Sequence, residues 1–325
     1  MDSYEVTTDA QVEPQTSGGS QLPPAPKGHW KEVSVGISAL GLILALGYVV
    51  FDSMYADNQV ASAITPLSKA KPIVLADDAL IAQAAVVYDP VRNAVLFAKN
   101  PEAQLPLASL AKLATAHAIL SARGRDEIVV IKQDALTKEG DSNLHEGDVW
   151  RLADLLAFGL TTSSNDAMAA VASIVSEEGL VSRMNEEAKV NGLSQSYYLN
   201  ETGLDVSSST AGAYGSALDV VSLMLNLMKN YPDVFEATAY APRSESGSGE
   251  GTLSTIEPIW DIPGLIGAKT GYTDLAGGNL AVAVDIGLGE PVIAVVLGST
   301  RDGRFEDIRT LIEAARDSRV SQEFK

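Results

Sequence analysis

The sequence contains a serine and a lysine three residues apart, Ser109 and Lys112, in the apolar segment LASLAKLATA. This segment favours a helix, and a helix that is apolar on all sides is normally buried. Side chains three residues apart lie on the same face of a helix, so the hydroxyl and the amine can contact one another. Burying an unpaired ammonium is costly, so the lysine needs a specific role. Alternatively, Ser109 caps the helix and Lys112 extends to solvent.

Two further segments carry polar residues of the kinds that line active sites. In LTTSSNDAMAA, Ser163 and Asn165 lie between two helical patterns, in a turn from which polar side chains can enter a cleft. In GAKTGYTDLAGGNL, Lys269 lies near the end of a strand pattern and is followed by Thr270 and Gly271. Each segment also has a simpler explanation. The first is then a helix N-cap, and the second a strand that runs into a turn.

The elements around these segments predict an α+β fold. AQAAVVYD and AVLFAKN, separated by a turn, indicate an antiparallel hairpin. Four helical patterns follow: DVWRLADLLAFGL, SNDAMAAVASIVSEE, LVSRMNEEAKVNG and SALDVVSLMLNLMKNY. Three consecutive strands (GLIGAKTG, GGNLAVAVDIG and EPVIAVVLGST) and an amphipathic helix, RFEDIRTLIEAARDS, come last. Strands near both ends of this region predict one antiparallel sheet with an inserted helical subdomain.

Composition excludes several classes of protein. The net charge of −19 argues against a nucleic-acid-binding surface. The chain has no cysteine, which excludes disulfides and thiolate metal sites. Its three histidines, His29, His117 and His145, are scattered, so a Ser-His-Asp triad is disfavoured.

The N-terminal region predicts a membrane anchor. Residues 1–32 are rich in Pro, Gly, Ser and Gln and predict a disordered tail. Residues 33–51, VSVGISALGLILALGYVVF, are uncharged and nearly long enough to span a bilayer. Lys27 and Lys31 precede this run, so the tail is expected in the cytoplasm. We interpret residues 52–75 as a linker. The alternative is a signal peptide cleaved near Ala61-Ser62-Ala63, which would leave a secreted protein.

The sequence contains three motifs in this order: Ser-x-x-Lys, Ser-x-Asn and Lys-Thr-Gly. Together they form the motif set of penicillin-recognising acyl-transfer enzymes. The sequence resembles the D-alanyl-D-alanine carboxypeptidase family, the low-molecular-weight penicillin-binding proteins. Further segments in the family's order include AAVVYD, SSNDA, YYLNETGLD, GSALDVVSLM and VVLGSTRDGRFEDI. The similarity extends from about Ala82 to Ala315. It implies a β-lactamase/transpeptidase-like fold, which we assign to residues 76–318, followed by a short tail, 319–325.

The resemblance implies roles for individual residues. Ser109 is the expected nucleophile and Lys112 its base, while Ser163 passes a proton to the leaving amine and Asn165 holds the substrate and Lys112. The remaining implied residues bind substrate: Lys269, Thr270, Gly271, Tyr272 and Arg304. Backbone N–H groups of Ser109 and Tyr272 form the expected oxyanion hole. For Arg304, a structural salt bridge at the start of the last helix is an equal alternative.

The implied substrate is the peptidoglycan stem peptide, from which a carboxypeptidase removes the terminal D-alanine. β-Lactam antibiotics and the cytoplasmic membrane are the other expected partners, with the catalytic domain outside the cell membrane. No metal and no organic cofactor is implied.

Some features depart from the family pattern or leave alternatives open. The family commonly has threonine at the position of Ala111 and glycine at that of Ser164. An endopeptidase of peptidoglycan crosslinks uses the same motifs. A serine β-lactamase needs a carboxylate four residues before an asparagine, and here Ser196 precedes Asn200 at that distance. An inactive muropeptide-binding protein is disfavoured because the motif residues are present.

Overall fold

The computed structural model describes residues 72–76, 78–137, 143–240, 255–287 and 289–323. Ten strands are present there: β1 (Ala84–Asp89), β2 (Ala94–Lys99), β3 (Leu105–Pro106), β4 (Ile128–Val130), β5 (Val149–Arg151), β6 (Tyr197–Tyr198), β7 (Ala213–Gly215), β8 (Leu265–Thr273), β9 (Gly277–Asp285) and β10 (Pro291–Ser299). Five of them form the main sheet in the order β2-β1-β10-β9-β8, and all neighbours are antiparallel. The predicted hairpin and the three late strands are confirmed, and the sheet joins early and late parts of the chain as predicted.

The described residues also form seven α-helices: α1 (Ala111–Ala122), α2 (Leu152–Thr162), α3 (Asn165–Ala172), α4 (Glu177–Val190), α5 (Ala217–Asn230), α6 (Pro232–Glu236) and α7 (Gly303–Glu323). The first six lie between β2 and β8 in the chain, so the helical insertion is confirmed. Short strands accompany them, as a three-stranded sheet in the order β3-β7-β6 and a β4-β5 pair.

Alternate residues of the sheet pack on opposite faces, as the two-residue period of a strand requires. On β1, Val86 packs into the core shared with the helical insertion, whereas Val87 packs into a second core with Ile308 and Leu311 of α7. The central strands are therefore buried on both faces. Only β2 and β8 present an edge, and β8 carries the Lys-Thr-Gly segment.

The structure corrects several predicted boundaries. The pattern DVWRLADLLAFGL begins as a strand, because Val149–Arg151 pairs with Ile128–Val130 before α2 starts at Leu152. Valine and tryptophan favour such a paired strand. The pattern SNDAMAAVASIVSEE is helical only to Ala172, and a new helix starts at Glu177. Helix α7 continues to Glu323 and so includes most of the segment that we assigned to a C-terminal tail.

The predicted tail (1–32), the anchor (33–51) and most of the linker (52–75) lie outside the described residues. Within the described part, none of the helices combines the length and the apolar character needed to cross a bilayer.

Candidate active site

Ser109 and Lys112 are in direct contact. Ser109 lies in a single turn of 3-10 helix, Ala108–Leu110, directly before α1, and the amine of Lys112 donates to its Oγ at 2.8 Å. The lysine side chain is fully buried, at 0% exposure. No side chain in the described part of the chain caps either helix. The alternative explanation, a capping serine and a lysine that extends to solvent, is therefore excluded.

A tight backbone contact fixes the turn that carries Ser109. Ala108 has a φ of 48°, in the left-handed region that side chains rarely adopt. Gly203 has a φ of 79°, and a Cβ placed on it would lie 1.9 Å from the Ala108 carbonyl oxygen. Only glycine fits there, so the loop that contains Gly203 packs directly against the backbone of the serine turn.

Two further acceptors complete the environment of the Lys112 amine. It donates to Asn165 Oδ1 at 2.8 Å and to the Thr202 carbonyl oxygen at 2.9 Å. Burial lowers the pKa of Lys112 to about 7, and the nearby Glu201 carboxylate opposes that change. A substantial fraction of the amine is therefore neutral near physiological pH, as a general base must be.

The turn between α2 and α3 supplies the second hydroxyl. Ser163 ends α2 in a left-handed conformation, with a φ of 60°, and Asn165 is the first residue of α3. The helix cap anticipated here is provided by Ser164, whose hydroxyl accepts from Ala167 N at 3.0 Å. The family's glycine is thus replaced by a residue with a capping role, while Ser163 and Asn165 remain directed at the two lysines.

Lys269 brings strand β8 into contact with this turn. Its amine donates to Ser163 Oγ and to the Thr270 carbonyl oxygen, both at 2.8 Å. Lys269 is fully buried, and burial together with the charges of Lys112 and Arg304 places its pKa well below the usual value. It lies inside the strand rather than near its end, since β8 continues to Thr273. The hydroxyl of Thr270 is bonded to that of Thr255 at 2.7 Å.

Gly271 allows β8 to approach the serine. A Cβ at this position would lie 2.8 Å from the Leu107 carbonyl oxygen and 3.2 Å from Ser109 N. From the other side, buried Arg304 donates to the Gly271 carbonyl oxygen at 2.7 Å. Burial lowers the pKa of Arg304 to about 10. Among the described residues no carboxylate forms an ion pair with Arg304, so the alternative role of Arg304 in a structural salt bridge is not observed.

Tyr272, the next residue along β8, is 41% exposed, with the guanidinium of Arg301 over its ring at 5.2 Å. All nine site residues expected from the sequence thus lie on three neighbouring parts of the fold. These are the serine turn with α1, the α2–α3 turn, and β8 with the start of α7. The site therefore contains two pairs of a hydroxyl and a buried amine, Ser109 with Lys112 and Ser163 with Lys269. Such pairs are suited to transferring protons to and from a serine nucleophile.

Three residues near the site were not predicted from the sequence. The Thr202 carbonyl oxygen accepts from Lys112, and the Glu201 carboxylate raises the pKa of that lysine. The Thr255 hydroxyl is hydrogen-bonded to Thr270. Glu201 and Thr202 belong to YYLNETGLD, a segment noted only for its similarity to the family. Asn200 shapes this loop, since its Oδ1 accepts from Gly203 N at 2.7 Å. Across the described part of the chain, no three His, Asp or Glu side chains are grouped as a metal site would need.

Comparisons with known proteins show the family of this chain. A family profile described as D-alanyl-D-alanine carboxypeptidase matches residues 71–301. The D-alanyl-D-alanine carboxypeptidase DacD of Salmonella typhimurium is 33% identical over 253 residues, which cover 72% of this chain and 63% of the relative. A D-alanyl-D-alanine endopeptidase of Pseudomonas aeruginosa is 26% identical, covering 75% of this chain and 80% of that protein.

Among solved structures, penicillin-binding protein D2 from Listeria monocytogenes in its cefotaxime-bound form is similar, with a TM-score of 0.64 and 29% identity. The match covers 74% of this chain and 99% of that one. The chain spans 58–63% of the length of the first three curated carboxypeptidases that it matches.

Proposed function

Because this chain belongs to the D-alanyl-D-alanine carboxypeptidase family, we propose that it is a serine carboxypeptidase that removes the terminal D-alanine from peptidoglycan stem peptides. The observation that carries the proposal is the contact between Ser109 Oγ and the buried amine of Lys112. An amine whose pKa is about 7 can take the serine proton, whereas an ordinary lysine cannot.

The reaction begins when neutral Lys112 accepts the Ser109 proton across their 2.8 Å contact. Ser109 Oγ then attacks the carbonyl of the penultimate D-alanine. Backbone N–H groups of Ser109 and Tyr272 bind the resulting oxyanion, because Gly271 lets the two segments approach closely. Collapse of this intermediate breaks the amide bond and leaves an acyl-serine. Ser163, hydrogen-bonded to Lys269, relays to the departing amine the proton that Lys112 accepted, and water later hydrolyses the ester.

The terminal carboxylate of the substrate binds to the cationic side of the site. Lys269 and Thr270 lie on the edge strand, where an extended peptide can add as a further strand. Arg304 supports this role, since its buried Nε has no hydrogen-bond partner among the described residues and its charge lies behind β8. Asn165 holds both Lys112 and the peptide.

We further propose that residues 33–51 anchor the enzyme in the cytoplasmic membrane, with the tail inside and the catalytic domain outside. The support is the uncharged run itself and the two lysines that precede it. β-Lactams are proposed as ligands because they react with the same serine, and the similar Listeria protein is described in ampicillin- and cefotaxime-bound forms.

Intact-mass spectrometry of the full chain with penicillin tests the proposal. We expect a covalent adduct that persists for hours, is lost in Ser109→Ala, and is retained in the control Ser121→Ala, a serine on the far end of α1. An adduct that clears within seconds while penicillin is consumed would identify a β-lactamase. If the chain neither forms an adduct nor consumes penicillin, the inactive muropeptide-binding protein becomes the favoured alternative.

Release of D-alanine from a stem peptide then separates a carboxypeptidase from an endopeptidase. The endopeptidase named among the relatives makes this comparison necessary. A carboxypeptidase releases free D-alanine from monomeric peptides, whereas an endopeptidase leaves them intact and cleaves crosslinked dimers.

A further inference from the structure

The side chain of Thr255 joins strand β8 to the end of helix α2. Its Oγ1 lies 2.7 Å from Thr270 Oγ1 and 3.5 Å from the Thr161 carbonyl oxygen. The backbone N–H of Thr255 donates to the same carbonyl oxygen at 3.3 Å. Thr161 and Thr270 are both buried, so these contacts are largely shielded from water. The proposed mechanism uses the Thr270 hydroxyl for the substrate carboxylate and gives Thr255 no role.

The number of protons limits how these hydroxyls can pair. A hydroxyl donates one hydrogen bond and can accept two, whereas a carbonyl oxygen only accepts. In the structure Thr270 donates to Thr255 Oγ1, which leaves the Thr255 proton to the 3.5 Å contact with Thr161. A hydrogen bond of that length is weak. The Thr161 carbonyl oxygen also accepts from the Thr255 N–H, so the Thr255 hydroxyl can turn away from it at little cost.

A bound carboxylate reverses the direction of the bond between the two hydroxyls. Because a carboxylate only accepts, Thr270 has to turn its proton from Thr255 to the ligand. The Thr255 proton can then turn to Thr270 Oγ1, 2.7 Å away. Thr270 then accepts one hydrogen bond while it donates another, and consecutive hydrogen bonds of this kind strengthen one another. Two hydroxyl protons change direction, and the oxygen atoms stay in place.

Thr255 also determines where Thr270 Oγ1 lies. A threonine side chain exchanges the positions of its hydroxyl and its methyl group by rotation about χ1. The hydroxyl of Thr270 is directed at position 255, where another hydroxyl is present. With an apolar side chain at position 255, that buried oxygen would lose its partner, which is costly. The methyl group of Thr270 would then take its place, and Oγ1 would be moved from the position that serves the carboxylate.

We propose that Thr255 is a positioning residue for carboxylate recognition: it fixes the Thr270 hydroxyl and donates to it when Thr270 binds the terminal carboxylate of the substrate. The inference rests on the proposed function, which assigns Thr270 to that carboxylate. Thr255 acts through Thr270 and needs no contact with the substrate. Its effect is therefore specific to ligands that carry the carboxylate, whereas a merely structural residue affects all acylating ligands alike.

Acylation of the full chain by penicillin and by penicillin methyl ester tests the proposal. Penicillin, like the substrate, carries its carboxylate on the carbon next to the reacting amide nitrogen, and the ester masks that charge. The ratio of the two second-order acylation rates therefore measures carboxylate recognition. In the isosteric variant Thr255→Val we expect this ratio to fall about tenfold. Thr255→Ser restores the hydroxyl and should bring the ratio back to within about twofold of the wild-type value.

A double variant shows whether Thr255 acts through Thr270. Thr270→Val lowers the same ratio, and adding Thr255→Val should lower it no further, because the two residues serve one interaction. The control Thr310→Val removes a half-buried hydroxyl whose bond, to the Glu306 carbonyl oxygen, stays within α7. It should keep the wild-type ratio.

Three results would overturn the role of Thr255. They are an unchanged ratio in Thr255→Val, an equal loss of both rates in that variant, and independent losses that add in the double variant. Failure of the proposed function is recognised in the wild-type chain, before any variant is compared. In that case neither penicillin nor its ester acylates Ser109, and the role of Thr255 fails with it.

Discussion

At the scale of single residues, the proposed mechanism makes the charge on Lys112 decide when Ser109 is activated. Burial favours the neutral amine, and the fully buried Glu201 carboxylate favours the ammonium. Lys269, also buried and cationic when protonated, interacts with Lys112 in the opposite sense to Glu201. The pKa of about 7 is thus a balance between burial and one nearby negative charge.

The pH dependence of acylation reports this balance. Below its pKa Lys112 is protonated and cannot accept the serine proton, so the second-order rate of acylation by penicillin falls about tenfold per pH unit on the acid side. Glu201→Gln removes the charge that raises the pKa of Lys112. We therefore expect the acid limb, the low-pH side of the pH–rate profile, to move to lower pH by about one unit. The exposed control Glu186→Gln keeps the wild-type limb. A limb that stays in place or moves to higher pH in Glu201→Gln would contradict this assignment.

The residue types and spacing of Ser109, Lys112, Ser163 and Lys269 could be predicted because each motif is local in sequence. Glu201 and Thr202 could not, since they reach Lys112 across 90 residues of chain by a loop with no helical or strand period. The neighbours of a buried charge follow from the tertiary fold. Sequence patterns therefore indicated the candidate catalytic side chains, whereas the groups that adjust their pKa became visible only in the structure.

At the scale of elements, the long periodic segments of the sheet and helices were predictable, and the short ones were not. Strands β3, β6 and β7 have two or three residues, too few to show a period of two. They matter for the site, because Leu107 N donates to Ala213 O next to β3 and β7, and Leu107 in turn contacts Gly271. Tertiary pairing, rather than local propensity, creates these strands.

The contact between Gly203 and Ala108 is the element-scale feature that most directly holds Ser109, the proposed nucleophile. Gly203→Ala combines an unfavourable φ, which costs about 1–2 kcal/mol, with overpacking against the Ala108 backbone, which costs about 1–3 kcal/mol more. We expect the free energy of unfolding to fall by about 3 kcal/mol and acylation by penicillin to slow more than tenfold, because Ser109 is displaced.

Gly147→Ala is the matched control for that substitution. Gly147 also has a positive φ, 88°, but a Cβ there meets no atom of the described residues within 4 Å. It should lose only about 1–2 kcal/mol of stability and keep the wild-type acylation rate. Urea denaturation and acylation kinetics measure both effects. Similar acylation rates for the two variants would show that the Gly203 contact does not position the serine.

At the scale of the whole molecule, the site depends on parts of the chain that are far apart in sequence. The carboxylate of Asp307 on α7 accepts from Ile81 N, Ala82 N and Ser299 Oγ, which ties the start of the domain to its last strand and helix. Arg304 of the same helix contacts the back of Gly271. Helix α7 therefore supports the edge strand of the candidate site as well as covering the second core.

The orientation of the chain in the membrane is a whole-molecule prediction that rests on sequence alone, from residues 33–51 and the lysines before them. The absence of cysteine makes it directly measurable, since a single introduced thiol is the only one present. In spheroplasts, a membrane-impermeant maleimide should label Glu186→Cys, on an exposed position of α4, but label Ser17→Cys only after the membrane is permeabilised. The reverse pattern would contradict the orientation. A membrane-released protein whose mass lacks the first 60 or so residues would instead show a cleaved signal peptide, because an anchor of about 20 apolar residues holds the chain in the bilayer.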